Sequence, residues 1–323
     1  MGTLGSAAAP HHHPRELVEV YQRMLAAAGT EGRFVRRASG RRVHVVASGE
    51  GPPMVHLHGT NTSSLSHLML LGRMPGVRSY LVDRPGCGLS ELDTFQPGQF
   101  RQFAVDFVGD VLDALDLDST VLVGASGGGI WATWYALAHP ERVRGLVMLG
   151  SVPTLPGGRA PLPLRLAATR GMGDLVARAV KPGRGTLLRM MGSVGEAETI
   201  VRHPDLLDSL VAGARDPVAI RANLAELRAL MSPRGFRTSM RFTSGDLRRL
   251  TMPTLMIWGD RDPVVPLAQA RAAAAEIPHA GLEVLSAGHV PQLGHPDQVA
   301  ASLEHFALTA WPRPAPSREE TKD

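Results

Sequence analysis

Residues 120–137 read Thr-Val-Leu-Val-Gly-Ala-Ser-Gly-Gly-Gly-Ile-Trp-Ala-Thr-Trp-Tyr-Ala-Leu. Thr120–Ala125 is a short apolar run rich in β-branched residues, the composition of a strand covered on both faces. The run that follows, with Ile130, Trp131, Trp134, Tyr135 and Leu137, is apolar and reads as a helix. Between them Gly124-Ala125-Ser126-Gly127-Gly128 has the form G-x-S-x-G, a strand-turn-helix elbow that lifts a serine hydroxyl above the edge of a sheet. Gly124 and Gly128 have a mechanical reason, because a strained turn leaves no space for Cβ atoms where other segments pass close. The motif alone is short, and its weight comes from the flanking strand and helix. A phosphate-binding glycine loop would need G-x-G-x-x-G or a Lys-Ser/Thr ending, and neither is present.

Outward from this elbow the chain repeats the same alternation. Met54–His58, Ser79–Asp83, Gly145–Leu149, Thr254–Trp258 and Leu282–Leu285 are apolar runs bounded by Gly, Pro or charge. Arg33–Arg37 and Arg41–Ala47 flank Ser39-Gly40 and read as an antiparallel hairpin at one edge. Helical spacing is clearest over Gln99–Leu115, and an apolar stripe marks Pro14–Ala28 as a helix lying on the domain. Strands alternating with helices define an α/β class with a mostly parallel sheet. The alternation stops near Ser151 and resumes near Thr251, so residues 151–250 are expected to form a helical subdomain. Core segments are then 14–150 and 251–311, with residues 1–13 and 312–323 as disordered tails.

Composition narrows the function. The chain has 323 residues, 44% hydrophobic and 20% charged, enough to bury a full core. A single cysteine, Cys87, excludes an intramolecular disulfide framework and a Cys-rich zinc module. No apolar run approaches the roughly 18 residues of a membrane span, and no secretory signal opens the chain, so a soluble cytoplasmic protein is expected. No basic helix is interleaved with aromatics, which argues against a nucleic-acid partner.

A serine hydroxyl needs a histidine base and a carboxylate to orient that base. Both follow in the order Ser, Asp, His: Gly259-Asp260-Arg261-Asp262-Pro263-Val264-Val265-Pro266 after one strand, and Ala287-Gly288-His289-Val290-Pro291 after another. Each lies just past a strand's C-terminal end, where open α/β sheets bind ligands. His56-Leu57-His58-Gly59-Thr60-Asn61 ends a further strand, and the amides of Thr60 and Gly127 are candidate donors to an oxyanion. Asp260 competes with Asp262, and His295 with His289. His56 and His58 lack an evident third metal ligand.

HGTN at 58–61, DRPGCGLS at 83–90, GASGG at 124–128, WGDRDPVVP at 258–266 and AGHVPQLGHP at 287–296, in that order, resemble the α/β-hydrolase superfamily from about residue 33 to 309. The resemblance implies an eight-stranded, mostly parallel sheet with a helical cap inserted after the sixth strand. It implies Ser126 as nucleophile, Asp262 as acid and His289 as base, and selects them over Asp260 and His295. It also implies that Asp83, Gly86, Gly88 and Ser90 form a structural turn. A serine nucleophile points to acyl chemistry rather than to the aspartate-dependent dehalogenases and epoxide hydrolases. The expected activity is cleavage of a carboxylic ester or lactone through an acyl-enzyme, on a lipophilic small molecule, without metal or organic cofactor. The alternatives are a C–C bond hydrolase with the same residues and a hydrolase-like ligand receptor.

Three features bear on substrate. Gly127 is expected to leave room beside the acyl carbon. The 151–250 segment carries five methionines, Met172, Met190, Met191, Met231 and Met240, suggesting an adaptable apolar tunnel. It also holds sixteen basic against eight acidic residues, most densely at Arg178, Lys181, Arg184 and Arg189.

Overall fold

The computed structural model describes residues 13–96, 98–179 and 182–311, apart from the side chains of Val176 and Arg178. Eight strands form one sheet: β1 (Gly32–Arg36), β2 (Arg42–Ser48), β3 (Pro53–Leu57), β4 (Arg78–Val82), β5 (Thr120–Ala125), β6 (Val143–Leu149), β9 (Thr254–Gly259) and β10 (Ala280–Leu285). Their order is β1-β2-β4-β3-β5-β6-β9-β10. The first two pairings are antiparallel and the remaining five parallel. Every residue of β5 is buried, which explains its unbroken hydrophobicity. The chain leaves β3 toward β4 on one side and returns to β5 on the other. A crevice therefore opens beyond the C-terminal ends of β3 and β5, the topological switch point where such sheets bind ligands.

Helices α2 (Phe100–Ala114), α3 (Gly127–Ala138), α11 (Leu267–Glu276) and α13 (Pro296–Ala310) connect or follow these strands. Phe100, Phe107, Trp131 and Trp134 interlock edge-to-face between α2 and α3. Between β6 and β9 lie α4 (Leu162–Ala168), α5 (Met172–Ala179), α6 (Arg184–Ser193), α7 (Ala197–Ile200), α8 (Pro204–Arg215), α9 (Pro217–Leu230) and α10 (Ser244–Arg248). The segment also contains a hairpin, β7 (Met231–Ser232) with β8 (Gly235–Phe236), which the helix-like composition had hidden. Helix α1 (Arg15–Ala27) buries Leu17, Val20, Tyr21 and Leu25. His13, expected in a disordered tail, is instead buried, with its Nδ1 2.8 Å from Asp216 Oδ2. Residues 1–12 and 312–323 lie outside the described residues.

The DRPGCGLS segment is a hub. The buried Asp83 carboxylate accepts hydrogen bonds from the Tyr21 hydroxyl, the Ser64 and Leu89 amides and His44 Nδ1. A Cβ at Gly88, where φ is +56°, would strike that carboxylate and the Tyr21 hydroxyl. Burial pushes the Asp83 carboxyl up, but the His44 contacts and the other hydrogen bonds outweigh it and leave it below its ordinary value. Cys87, in the same turn, is 3% exposed, and burial pushes its thiol up to about 12.

Beneath β3 sit two fully buried imidazoles, His56 and His67, 5.5 Å apart. None of their four ring nitrogens has a hydrogen-bond partner among the described residues. Burial drives both down, His67 to about 4, so both stay neutral in the fold. Unfolding releases them to about 6.5, so the unfolded chain binds more protons below that pH. Their stabilising contribution is complete above pH ~6.5 and falls by about 1.4 kcal/mol per pH unit for each histidine as the medium is acidified toward the folded value. Urea titrations between pH 7 and 5 should therefore show falling stability. In His67→Leu the slope should shrink by roughly one proton; an unchanged slope would contradict the account.

Candidate active site

Ser126 stands between β5 and α3 with φ 49° and ψ −114°, a left-handed conformation rare for a residue with a side chain. The neighbouring glycines permit it. A Cβ at Gly124 would press on Gly129 Cα, and one at Gly128 would run into the Leu57 carbonyl where α3 crosses the end of β3.

Three sequence-selected side chains converge. Ser126 Oγ lies 2.8 Å from His289 Nε2, and His289 Nδ1 lies 2.9 Å from Asp262 Oδ2. An ionised carboxylate only accepts, so Nδ1 carries the proton and Nε2 accepts from the serine hydroxyl. Asp262 is 4% exposed, and its Oδ1 accepts the Val264 amide at 2.8 Å. Burial raises the Asp262 carboxyl, but hydrogen bonds and charge from His289, with the Val264 amide and Ser151, carry it below its ordinary range. The Trp258 indole donates to the Val265 carbonyl and braces this loop from inside.

The competing candidates lie apart. Asp260 is exposed and accepts the Ala287 amide, and His295 is half-buried with Nε2 3.2 Å from the Ser286 carbonyl. His56 faces His67, whereas His58 Nε2 accepts the Arg84 amide and its Nδ1 meets the Gly59 carbonyl. Among the described residues, no three His, Cys, Asp or Glu side chains converge as a metal site would require.

Thr60 and Gly127 approach each other across the crevice. Neither backbone N–H donates a hydrogen bond among the described residues, which leaves two free donors beside Ser126. The room expected at Gly127 is not there, because a Cβ at that position would meet the Thr60 hydroxyl. The Thr60 side chain occupies the space that a side chain at 127 would take.

A cavity of about 270 Å³ runs under the 151–250 segment; Asn61, Thr62 and Ser63 of the Thr60 loop line it, whereas Thr60, Gly127, Ser126 and His289 do not. Leu164, Leu210, Leu224 and Leu227 line it, and of the five methionines only Met190 does. Met191, Met231 and Met240 are core residues, and Met172 is exposed. In the basic cluster Arg184 pairs with Asp208. Lys181 and the Arg178 side chain lie outside the described residues.

Several partners were not legible in the sequence. Ser151 Oγ lies 3.0 Å from His289 Nδ1, immediately beyond the end of β6, and that position was the one available signal. Glu196, 1% exposed, accepts the Val290 amide at 2.9 Å, and the Val194 carbonyl accepts the His289 amide. Burial raises the Glu196 carboxyl. Ser151→Ala removes one hydrogen bond from the His289–Asp262 pair, so kcat on an ester should fall roughly 3- to 10-fold with little change in thermal stability. Steady-state kinetics with a melting curve checks this.

The chain matches the Alpha/beta hydrolase family over residues 54–302. It is 33% identical over 273 residues to pimeloyl-[acyl-carrier protein] methyl ester esterase of Xanthomonas axonopodis pv. citri, covering 83% of this chain and 99% of that one. It is 30% identical over 281 residues to 2-hydroxymuconate semialdehyde hydrolase of Pseudomonas putida, covering 84% and 93%. Among solved structures, a carboxylesterase from Bacillus subtilis superposes with a TM-score of 0.72 at 23% identity, covering 90% of this chain and 96% of that one. The protein belongs to the alpha/beta hydrolase family and is an enzyme of the hydrolase class. No helix among the described residues is long and apolar enough to cross a membrane.

Proposed function

We propose that this protein hydrolyses a carboxylic ester or lactone through an acyl-enzyme on Ser126. The hydrogen-bonded series Ser126–His289–Asp262, set beside the two free N–H groups of Thr60 and Gly127, carries the reading. His289 Nε2 takes the hydroxyl proton as Ser126 Oγ attacks the acyl carbon, and the carbonyl oxygen gains negative charge beneath the two amides. Collapse breaks the acyl–oxygen bond, and His289 returns the proton to the departing alkoxide. Water then attacks the acyl-serine with His289 again as base, releasing the acid and restoring Ser126. Asp262 holds the imidazole in the required tautomer throughout. Residues 151–250 act as a cap, and the apolar cavity beneath it accepts the lipophilic part of the substrate. Esterases among the relatives agree with this chemistry.

A p-nitrophenyl ester series from acetate to palmitate tests the reading, combined with mass spectrometry of the fluorophosphonate-treated protein. Ester turnover with the adduct on the Ser126 peptide is expected, with a chain-length optimum set by the cavity. Absence of both would refute it. The relative that acts on 2-hydroxymuconate semialdehyde supports a second reading, C–C bond hydrolysis by the same residues. Product analysis separates the two, because ester cleavage liberates an alcohol and C–C cleavage does not.

A further inference from the structure

The Gly59–Thr60 peptide is gripped from behind. Its carbonyl oxygen meets three donors: His58 Nδ1 at 2.8 Å, Arg84 Nη2 at 2.9 Å and Thr62 Oγ1 at 3.0 Å. His58 Nε2 accepts the Arg84 amide at 3.0 Å, so its proton resides on Nδ1, facing the carbonyl. In a trans peptide C=O and N–H point in opposite directions, so whatever fixes the Gly59 carbonyl also aims the Thr60 N–H.

One of these ties, Arg84, continues into helix α9, and a separate contact reaches α9 from Asn61. Arg84 is 1% exposed, lies over the Trp131 ring at 5.0 Å, and its Nη1 reaches Glu226 Oε1 at 2.6 Å. The Trp131 indole donates to the same Glu226 oxygen at 3.1 Å. One turn earlier on the same face, Asn223 Oδ1 accepts the Asn61 amide at 3.0 Å. Asn61 follows Thr60 directly and has φ 60°, a left-handed conformation that needs support. Helix α9 thus holds the residues on both sides of Thr60.

We infer that Arg84, Glu226 and Asn223 are positioning residues that aim the Thr60 N–H at the developing oxyanion, so the seating of α9 on the crevice sets transition-state stabilisation. This rests on the acyl-enzyme reading above. Buried Arg–Glu pairs are expensive to desolvate and give little net stability compared with apolar residues of similar volume. Here the pair links a substrate-covering helix to the reacting atoms. An ester that seats α9 fully would complete the site as it binds, which makes acyl selectivity partly a matter of rate.

The test compares wild type with Asn223→Ala, Arg84→Met and Arg84→Lys, using p-nitrophenyl butyrate and an alkyl trifluoromethyl ketone, whose serine adduct carries an oxyanion. Misaiming one donor should lower kcat about 10- to 100-fold with KM within a few fold. The affinity for the ketone should fall in the same proportion, and Arg84→Lys should recover part of the loss. Asn223 is only half-buried and makes no ion pair in this network, so Asn223→Ala carries the test should Arg84→Met fail to fold. Unchanged kcat and ketone affinity in folded Asn223→Ala would overturn the inference while leaving the acyl-enzyme intact. If the wild type showed neither ester turnover nor an adduct on Ser126, the acyl-enzyme reading would fall and this inference with it.

Discussion

Ser126→Ala should lower kcat on p-nitrophenyl esters by about 10⁴- to 10⁶-fold while KM stays within a few fold. The asymmetry follows from the structure. In the proposed mechanism substrate would be held by the apolar cavity and by backbone amides, none of which the substitution touches. Only the proposed nucleophilic atom is lost. The 49° φ of Ser126 costs little more with alanine than with serine, so the melting temperature should stay within a few degrees. Residual turnover should match direct attack of water aided by the oxyanion donors, and the fluorophosphonate adduct should disappear. Retained turnover of more than a few per cent in protein free of wild-type contamination would reassign the nucleophile.

The parts of the molecule that reveal themselves in sequence are those whose physics is local. β5 is readable because burial on both faces demands unbroken hydrophobicity, and the elbow because Gly124 and Gly128 sit where no Cβ fits. Position just past the ends of β9 and β10 marks Asp260, Asp262 and His289 as candidates, and the family resemblance selects Asp262 and His289. Ser151, Glu196, Arg84 and Asn223 are different. Ser151 meets His289 138 residues away, Glu196 meets Val290 94 away, Arg84 meets Glu226 142 away and Asn223 meets Asn61 162 away, and the last three contacts exist only once the 151–250 segment has folded over the crevice. A lone Glu after Val194-Gly195 or a lone Asn in α9 carries no pattern of its own. The sequence reading of Gly127 failed for a related reason: it counted the missing side chain as open space, whereas Thr60, from a distant loop, fills that space.

The same crossing contacts change how the site is understood. The base is held from the 151–250 side as well as from the core, through the Val194 carbonyl on the His289 amide and through Glu196 on the Val290 amide. From the same segment Asn223 reaches the Thr60 loop directly and Glu226 reaches it through Arg84. Replacing residues 151–250 by the corresponding segment of a relative should therefore shift His289 and the Thr60 loop along with the cavity, so exchange of chain-length preference is expected to come with loss of rate.

The choice between the two candidate carboxylates yields the other large effect: Asp262→Asn should lower kcat by about 10⁴-fold, and Asp260→Asn by less than about 3-fold. In the wild type Asp262 Oδ1 accepts from the Val264 amide while Oδ2 accepts from His289 Nδ1. An asparagine at 262 must keep its single carbonyl oxygen toward the Val264 amide or leave that buried donor without a partner. Its NH2 group then faces His289 and requires Nδ1 to accept. The imidazole proton moves to Nε2, where it confronts Ser126 Oγ as a donor, and the base can no longer take the serine proton. Geometry and thermal stability change little, so the lost rate reports the tautomer. At Asp260 the only side-chain hydrogen bond to backbone among the described residues is from the Ala287 amide at 3.2 Å, which an asparagine oxygen also accepts, and the residue is exposed. Parallel kcat/KM measurements on p-nitrophenyl butyrate decide the matter, since a collapse in Asp260→Asn with an active Asp262→Asn would move the acid to residue 260 and break the series at His289.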